Sequence, residues 1–147
     1  MIIRGTNGLF YERHSDNGSG ERYQVFVRRI ARKIKGEDEA AYTPDEVERV
    51  LNYFFNAYRD YMGEEHPRLK YKQMERLING LPFVEVKNNY QGYDNGEICR
   101  IDPRDYPVII DQYFVTDFPE SDYRLMHFMS GEIRMNRILE LDICITC

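Results

Sequence analysis

Between positions 23 and 34 the residues Tyr23, Phe26, Val27, Ile30, Ala31 and Ile34 recur three and four apart, and at about 100° per residue they share one arc of a helix. The other arc of that helix carries the basic residues. Thr43-Pro44-Asp45-Glu46 then sets a hydroxyl at the N-cap, proline at the first helical position and glutamate three residues past the cap, an arrangement that satisfies orphaned amide groups. A second helix is predicted from there, with Val47, Val50, Leu51, Phe54, Phe55, Tyr58, Tyr61 and Met62 as its apolar face and Gly63 as its C-terminal stop. A third runs from near Pro67 to Asn79-Gly80 on Leu69, Met74, Leu77 and Ile78, and Pro82 prevents its continuation.

Beyond Pro82 the period changes. Phe83 to Lys87 alternates as a half-buried strand, and Glu97 to Ile101 is placed to return beside it across the polar loop 88–96, predicting a hairpin. Pro107 opens a short helix on Ile109, Ile110, Tyr113 and Phe114, and Ser121 or Asp122 caps another that runs through Arg137, with Gly131 as its weak point. Leu139, Leu141, Ile143 and Ile145 alternate with polar residues, which predicts an edge strand for the hairpin sheet. Near the start, Gly5-Thr6-Asn7-Gly8 between apolar residues signals a short hairpin, and His14 to Gly20 reads as a plain polar loop.

No repeat and no Pro-rich or Ser-rich linker divides the 147 residues, 42% of which are hydrophobic, so residues 1–147 are expected to form a single α+β domain. The expected fold is helix-dominated with a small antiparallel β-sheet. Wholly apolar runs reach about three residues (Val108 to Ile110) against the ~18 a membrane span needs, so no membrane association and a cytoplasmic location are expected. Three cysteines, two of them in the last four residues, do not suggest a secreted disulfide framework. Twelve tyrosines and no tryptophan suit amphipathic surfaces and half-buried helices alike.

The net charge of −5 gives no global attraction for nucleic acid, but its distribution is uneven. Residues 22–35 hold Arg22, Arg28, Arg29, Arg32, Lys33 and Lys35 and no acid. Residues 88–123 hold eight acids (Asp94, Glu97, Asp102, Asp105, Asp111, Asp117, Glu120, Asp122) against Arg100 and Arg104, a net of −6. Either the two regions neutralise one another, each is a solvated face, or one is a partner surface. The basic helix is the better specified surface, because guanidinium groups on one face can form paired contacts with carboxylates or phosphates. Arg28, Arg29, Arg32, Lys33 and Lys35 are accordingly the expected partner-binding residues. A variant of this reading makes residues 94–122 a mimic of DNA phosphate spacing.

Three helices followed by a hairpin over residues 22–101 resemble a winged-helix DNA-binding domain in topology. That resemblance implies nucleic-acid contacts by Lys70, Lys72, Gln73 and Arg76 on the third helix and by Lys87, Asn88 and Asn89 at the loop. The 19-residue second helix and the loop carboxylates Asp94 and Glu97 depart from the pattern. Glu85-Val86-Lys87 resembles the E-x-K element of PD-(D/E)xK nucleases, which implies a metal-dependent nuclease as a third reading. The aspartate that family needs on a preceding strand is missing. Cys144 and Cys147 have the C-x-x-C spacing that lets two thiolates reach one metal, with Cys99 or His127 to complete a site, yet a second pair is missing. His14, His66 and His127 show no metal spacing; His66 is expected to help start a helix and His127 to be a satisfied boundary residue. Gly96 and Ile98 break the acidic stretch as a calcium loop, and no phosphate-cradling or nucleophile-elbow motif occurs.

The phrases EEHPRLKYKQMERLINGLP (64–82) and DYRLMHFMSGEIRMNR (122–137) resemble small proteins carried on prophages and conjugative elements of Gram-positive bacteria. The resemblance implies accessory roles and supplies no site residues. Together these features predict a non-enzymatic macromolecular interaction protein with a protein partner, no cofactor and no metal site. Winged-helix-like DNA binding is the alternative.

Overall fold

The apolar stripe of the first helix, α1 (Tyr23–Glu37), is buried residue for residue as the spacing predicts, in a computed structural model that describes residues 22–147. The predicted N-terminal hairpin and the loop at His14 to Gly20 lie outside the described residues. α1 packs between α2 (Pro44–Met62) and α3 (Tyr71–Gly80). The predicted capping box opens α2: the Thr43 hydroxyl accepts from the Glu46 amide at 3.1 Å, and the Glu46 carboxylate accepts from the Thr43 amide at 2.9 Å. Gly63 closes it at φ +77°, a left-handed conformation that costs glycine no Cβ clash, with its amide donating to the Arg59 carbonyl.

α3 starts at Tyr71, four residues later than Pro67, because the connection 63–70 is anchored by its side chains. His66 is only 6% exposed and lies against Phe54, Phe55 and Tyr58 of α2. Its Nδ1 contacts the Pro67 carbonyl at 2.6 Å and its Nε2 accepts from the Leu125 amide at 3.0 Å, which defines a neutral ring protonated on Nδ1. His66 is therefore a core joint rather than a helix starter. The Tyr23 hydroxyl accepts from the Leu69 amide at 3.0 Å and fixes the segment from the α1 side.

The hairpin forms as predicted from β1 (Phe83–Glu85) and β2 (Ile98–Arg100), antiparallel with Val84 opposite Cys99. With the helices it makes the helix-dominated α+β architecture expected. A short 3-10 turn at Pro103–Asp105 leads into α4 (Tyr106–Val115), which packs along α2. The long helix expected through Arg137 is instead two, α5 (Leu125–Met129) and α6 (Ile133–Leu141). The break falls at Gly131, whose φ is +51°, and the Ser130 hydroxyl donates to the His127 carbonyl as α5 ends. This bend directs Phe128 onto Phe54 and Tyr113 while Met135 and Ile138 are buried further along.

The predicted edge strand at 139–145 is also corrected. Leu139 and Leu141 belong to the last turns of α6, where Arg137 and Glu140 pair three residues apart, and Asp142 ends the helix at φ +56°. Pairing with the sheet is limited to one bridge, in which Arg100 and Thr146 exchange both backbone hydrogen bonds. Alternation in this stretch records the half-buried end of a helix followed by a short extended tail. Among the described residues, no helix is long and apolar enough to cross a membrane.

Buried tyrosines bind distant segments together. The Tyr106 hydroxyl donates to the Leu81 carbonyl at 2.6 Å and accepts from Arg134, which also reaches the Gly80 carbonyl at the end of α3. Tyr42 donates to the Ile101 carbonyl, and Tyr90 to that of Ile143. These hydroxyls thus have partners, and the rings of Tyr42 and Tyr106 fill the core.

Burial lowers the His66 imidazolium pKa from 6.5 to about 4. Between those pH values the unfolded chain takes up a proton that the folded chain excludes, so stability is complete above 6.5 and falls as pH drops toward 4. The loss over that window is on the order of 3 kcal/mol, and urea unfolding at a series of pH values should record it. His66→Gln should flatten the dependence; an unchanged slope would place the proton uptake elsewhere.

Candidate functional site

The seating of α1 sends its cations in two directions. Arg28 turns toward α2, with Nη1 2.8 Å from Asp45 and 2.6 Å from Glu48, and these two carboxylates raise the guanidinium pKa further, Asp45 first. Gln24 donates to the same Glu48 at 2.7 Å. Lys35 donates to the carbonyls of Glu39 and Ala41 at 2.5 and 3.0 Å, bracing the link to α2. Arg28 and Lys35, expected at the partner surface, are engaged within the α1–α2 seam. The acids that meet Arg28 come from α2, not from the acidic stretch 94–122. Within that stretch Asp102 pairs with Arg104, Asp111 accepts from Tyr53 and Asp122 lies against Arg124.

On the opposite flank α1 meets α3. The Arg29 guanidinium lies over the Tyr71 ring, 5.9 Å from its centroid, and Lys33 Nζ is 3.4 Å from Glu75. Arg29, Arg32 and Lys33 are exposed, as are Lys72 and Arg76 of α3. The two cross-helix contacts therefore join part of the predicted protein-binding set and part of the predicted DNA-binding set into one face. Of these exposed cations Lys33 meets the Glu75 carboxylate and Arg29 the Tyr71 ring. Lys70 is exposed at the start of α3, while Gln73 is turned back and accepts from the Lys70 amide at 3.0 Å.

The hairpin residues expected to touch a phosphate backbone are placed differently. Lys87 donates to Glu132 at 2.7 Å and to Asn136 at 3.3 Å, because β1 packs against α6. Asn88 and Asn89 take left-handed φ values at the loop, and the Asn89 amide is bound by Asn95. Glu85 is exposed, and the lysine two residues on from it faces Glu132 rather than a second strand carboxylate. Among the described residues, no group of three or more His, Cys, Asp or Glu side chains is arranged to hold a metal ion.

The cysteine spacing has a different outcome from the metal pair considered. The bridge between Arg100 and Thr146 sets position 99 directly opposite position 147, and Cys99 and Cys147 are joined as a disulfide. Cys144 is left as an exposed free thiol. Closing a 48-residue span is worth about 4 kcal/mol in the chain-entropy view. His127 is half-buried, its Nδ1 2.7 Å from the Tyr113 hydroxyl and 3.0 Å from Ser121 Oγ, in keeping with a satisfied boundary histidine.

A second cationic site has no signature in the sequence. Arg49 of α2, Arg100 of β2 and Arg104 of the 3-10 turn line a groove of about 620 Å³, together with Glu46, Val50, Tyr53, Asp102, Pro103 and Pro107. Arg100 donates through Nε to the Ala40 carbonyl at 3.1 Å and lies over the Tyr42 ring. Arg104 is held through Nε and Nη2 by Asp102, which lowers the Asp102 pKa to about 2. The sequence shows Arg100 and Arg104 only as minority cations in an acidic stretch. Their meeting with Arg49, some fifty residues away, is a product of the fold.

Against protein families, curated proteins and solved structures, the chain finds no match.

The disulfide is checked by thiol alkylation of the denatured, unreduced protein followed by mass spectrometry. One alkylated cysteine, Cys144, is expected before reduction and three afterwards. Three before reduction, in protein purified without reductant, would contradict the pairing.

Proposed function

We propose that the chain is a non-enzymatic interaction protein that docks an acidic surface of a protein partner through the α1–α3 face. The observation that carries this reading is the convergence of Arg29, Arg32 and Lys33 with Lys72 and Arg76, brought about by the Arg29–Tyr71 and Lys33–Glu75 contacts. Helix side chains on a rigid pair of elements offer a preformed surface, so little conformational order remains to be imposed on binding. Charge of one sign on such a face steers encounter and sets orientation. The accessory role on a mobile element implied by the resemblance is of this kind, since blocking or recruiting a host protein needs a surface and no chemistry.

A protein partner is favoured over DNA because Lys87, the cation nearest the hairpin loop, is engaged by Glu132, and the loop itself presents Asp94 and Glu97. A phosphate backbone running from α3 to that loop would meet carboxylates.

The test is affinity capture from extracts of the source cells, with and without nuclease treatment, using the wild type and an Arg32→Glu/Lys72→Glu/Arg76→Glu variant. These three positions are exposed, so the variant should keep the wild-type unfolding temperature within a few degrees. The expected result is a protein captured in both extracts and lost, by roughly tenfold or more, in the variant. Capture that disappears with nuclease would transfer the face to nucleic acid. Undiminished capture by the variant would reject the face altogether.

A further inference from the structure

We propose that the groove between α2, β2 and the 3-10 turn binds a small organic phosphate, its phosphate group held by Arg49, Arg100 and Arg104 and its ring lying on Tyr53, Pro103 and Pro107. This site is separate from the α1–α3 face, and neither reading depends on the other.

The three arginines come from three segments and line one groove. Each keeps N–H donors for a ligand. Arg49 is exposed and makes no ion pair or hydrogen bond with a described residue. Arg100 uses Nε on the Ala40 carbonyl, and Arg104 uses Nε and Nη2 on Asp102, so the Nη groups of the first and Nη1 of the second are available. Two of the three are also pre-positioned. Arg100 is fixed by the Tyr42 ring, 5.1 Å away, and by a backbone paired with both β1 and Thr146; Arg104 is fixed by its two-pronged contact with Asp102. Holding donors in place before the ligand arrives removes an ordering cost from binding.

The two carboxylates on the walls already have donors: Glu46 accepts from the Thr43 amide, and Asp102 from Arg104. Donors supplied by three separate segments suit a tetrahedral group with three terminal oxygens better than a planar carboxylate with two. The remaining lining is apolar or aromatic: Val50, Pro103, Pro107 and the partly exposed Tyr53, whose hydroxyl is anchored on Asp111 at 2.9 Å. A groove of about 620 Å³ lies within the usual range for small-molecule sites and has room for a ring as well as the phosphate.

The experiment is calorimetric titration of the full chain at low ionic strength with three probes: adenosine 5′-monophosphate, inorganic phosphate and adenosine. The nucleotide and phosphate should bind saturably, with the nucleotide tighter by roughly tenfold, and adenosine should bind far more weakly than the nucleotide. Arg49→Glu should weaken the nucleotide by roughly tenfold or more without lowering the unfolding temperature by more than a few degrees, since Arg49 is exposed on α2. Arg124→Glu, an equal charge change at an exposed position outside the groove, should leave binding intact. Absence of saturable binding by both phosphate-bearing probes up to about 10 mM would overturn the proposal. So would equal affinity for adenosine and the nucleotide, or an equal loss in the Arg49 and Arg124 variants.

Discussion

The seat of α1 between α2 and α3 is the constraint on which the surface chemistry depends. Tyr23, Phe26, Val27, Ile30, Ala31 and Ile34 are all buried, and a helix with six buried apolar side chains has one rotational setting that hides them. Once that setting is taken, every cation has a direction. Arg28 must face α2, where Asp45 and Glu48 stand, and Lys33 must face Glu75 of α3. Arg32 is left toward solvent. A rotation of one residue would move all of these and would also bring polar side chains into the core.

A second constraint is carried by hydroxyl groups. Tyr23, Tyr42, Tyr90 and Tyr106 each bond the backbone of a segment 46 to 59 residues away or, for Tyr106, 25 residues back. A buried phenol left without a partner would cost on the order of 1–3 kcal/mol, so each such contact also selects the position of the loop it binds. His66 acts in the same way with two nitrogens, joining the 63–70 connection to the start of α5. The tyrosine-rich composition thus finds its main expression inside the molecule.

These internal joints explain why two cationic sites coexist on a chain whose net charge is negative. Some of the acids are local partners of particular groups: Asp45 and Glu48 for Arg28, Glu132 for Lys87, Asp102 for Arg104. Exposed cations remain on α1 and α3 at Arg29, Arg32, Lys33, Lys72 and Arg76, and Arg49, Arg100 and Arg104 line the groove. The disulfide between Cys99 and Cys147 holds the C-terminal tail against β2, next to Arg100, so the tail supports one wall of that groove.

Much of the helical framework could be read from short-range pattern, because an apolar stripe, a capping box at Thr43 or a stop at Gly63 is specified by residues within one or two turns of each other. The hairpin was legible for the same reason. Period alone misassigned residues 139–145, where alternation of a half-buried helix end imitates a strand, and it joined α5 to α6 across Gly131, whose left-handed φ no spacing rule supplies. The partners of Arg28, Lys35 and Lys87, the union of Cys99 with Cys147 and the groove built from positions 49, 100 and 104 were decided only by tertiary structure. Charge and thiol pairing depend on which surfaces face one another after packing, and that is settled by contacts between residues dozens of positions apart.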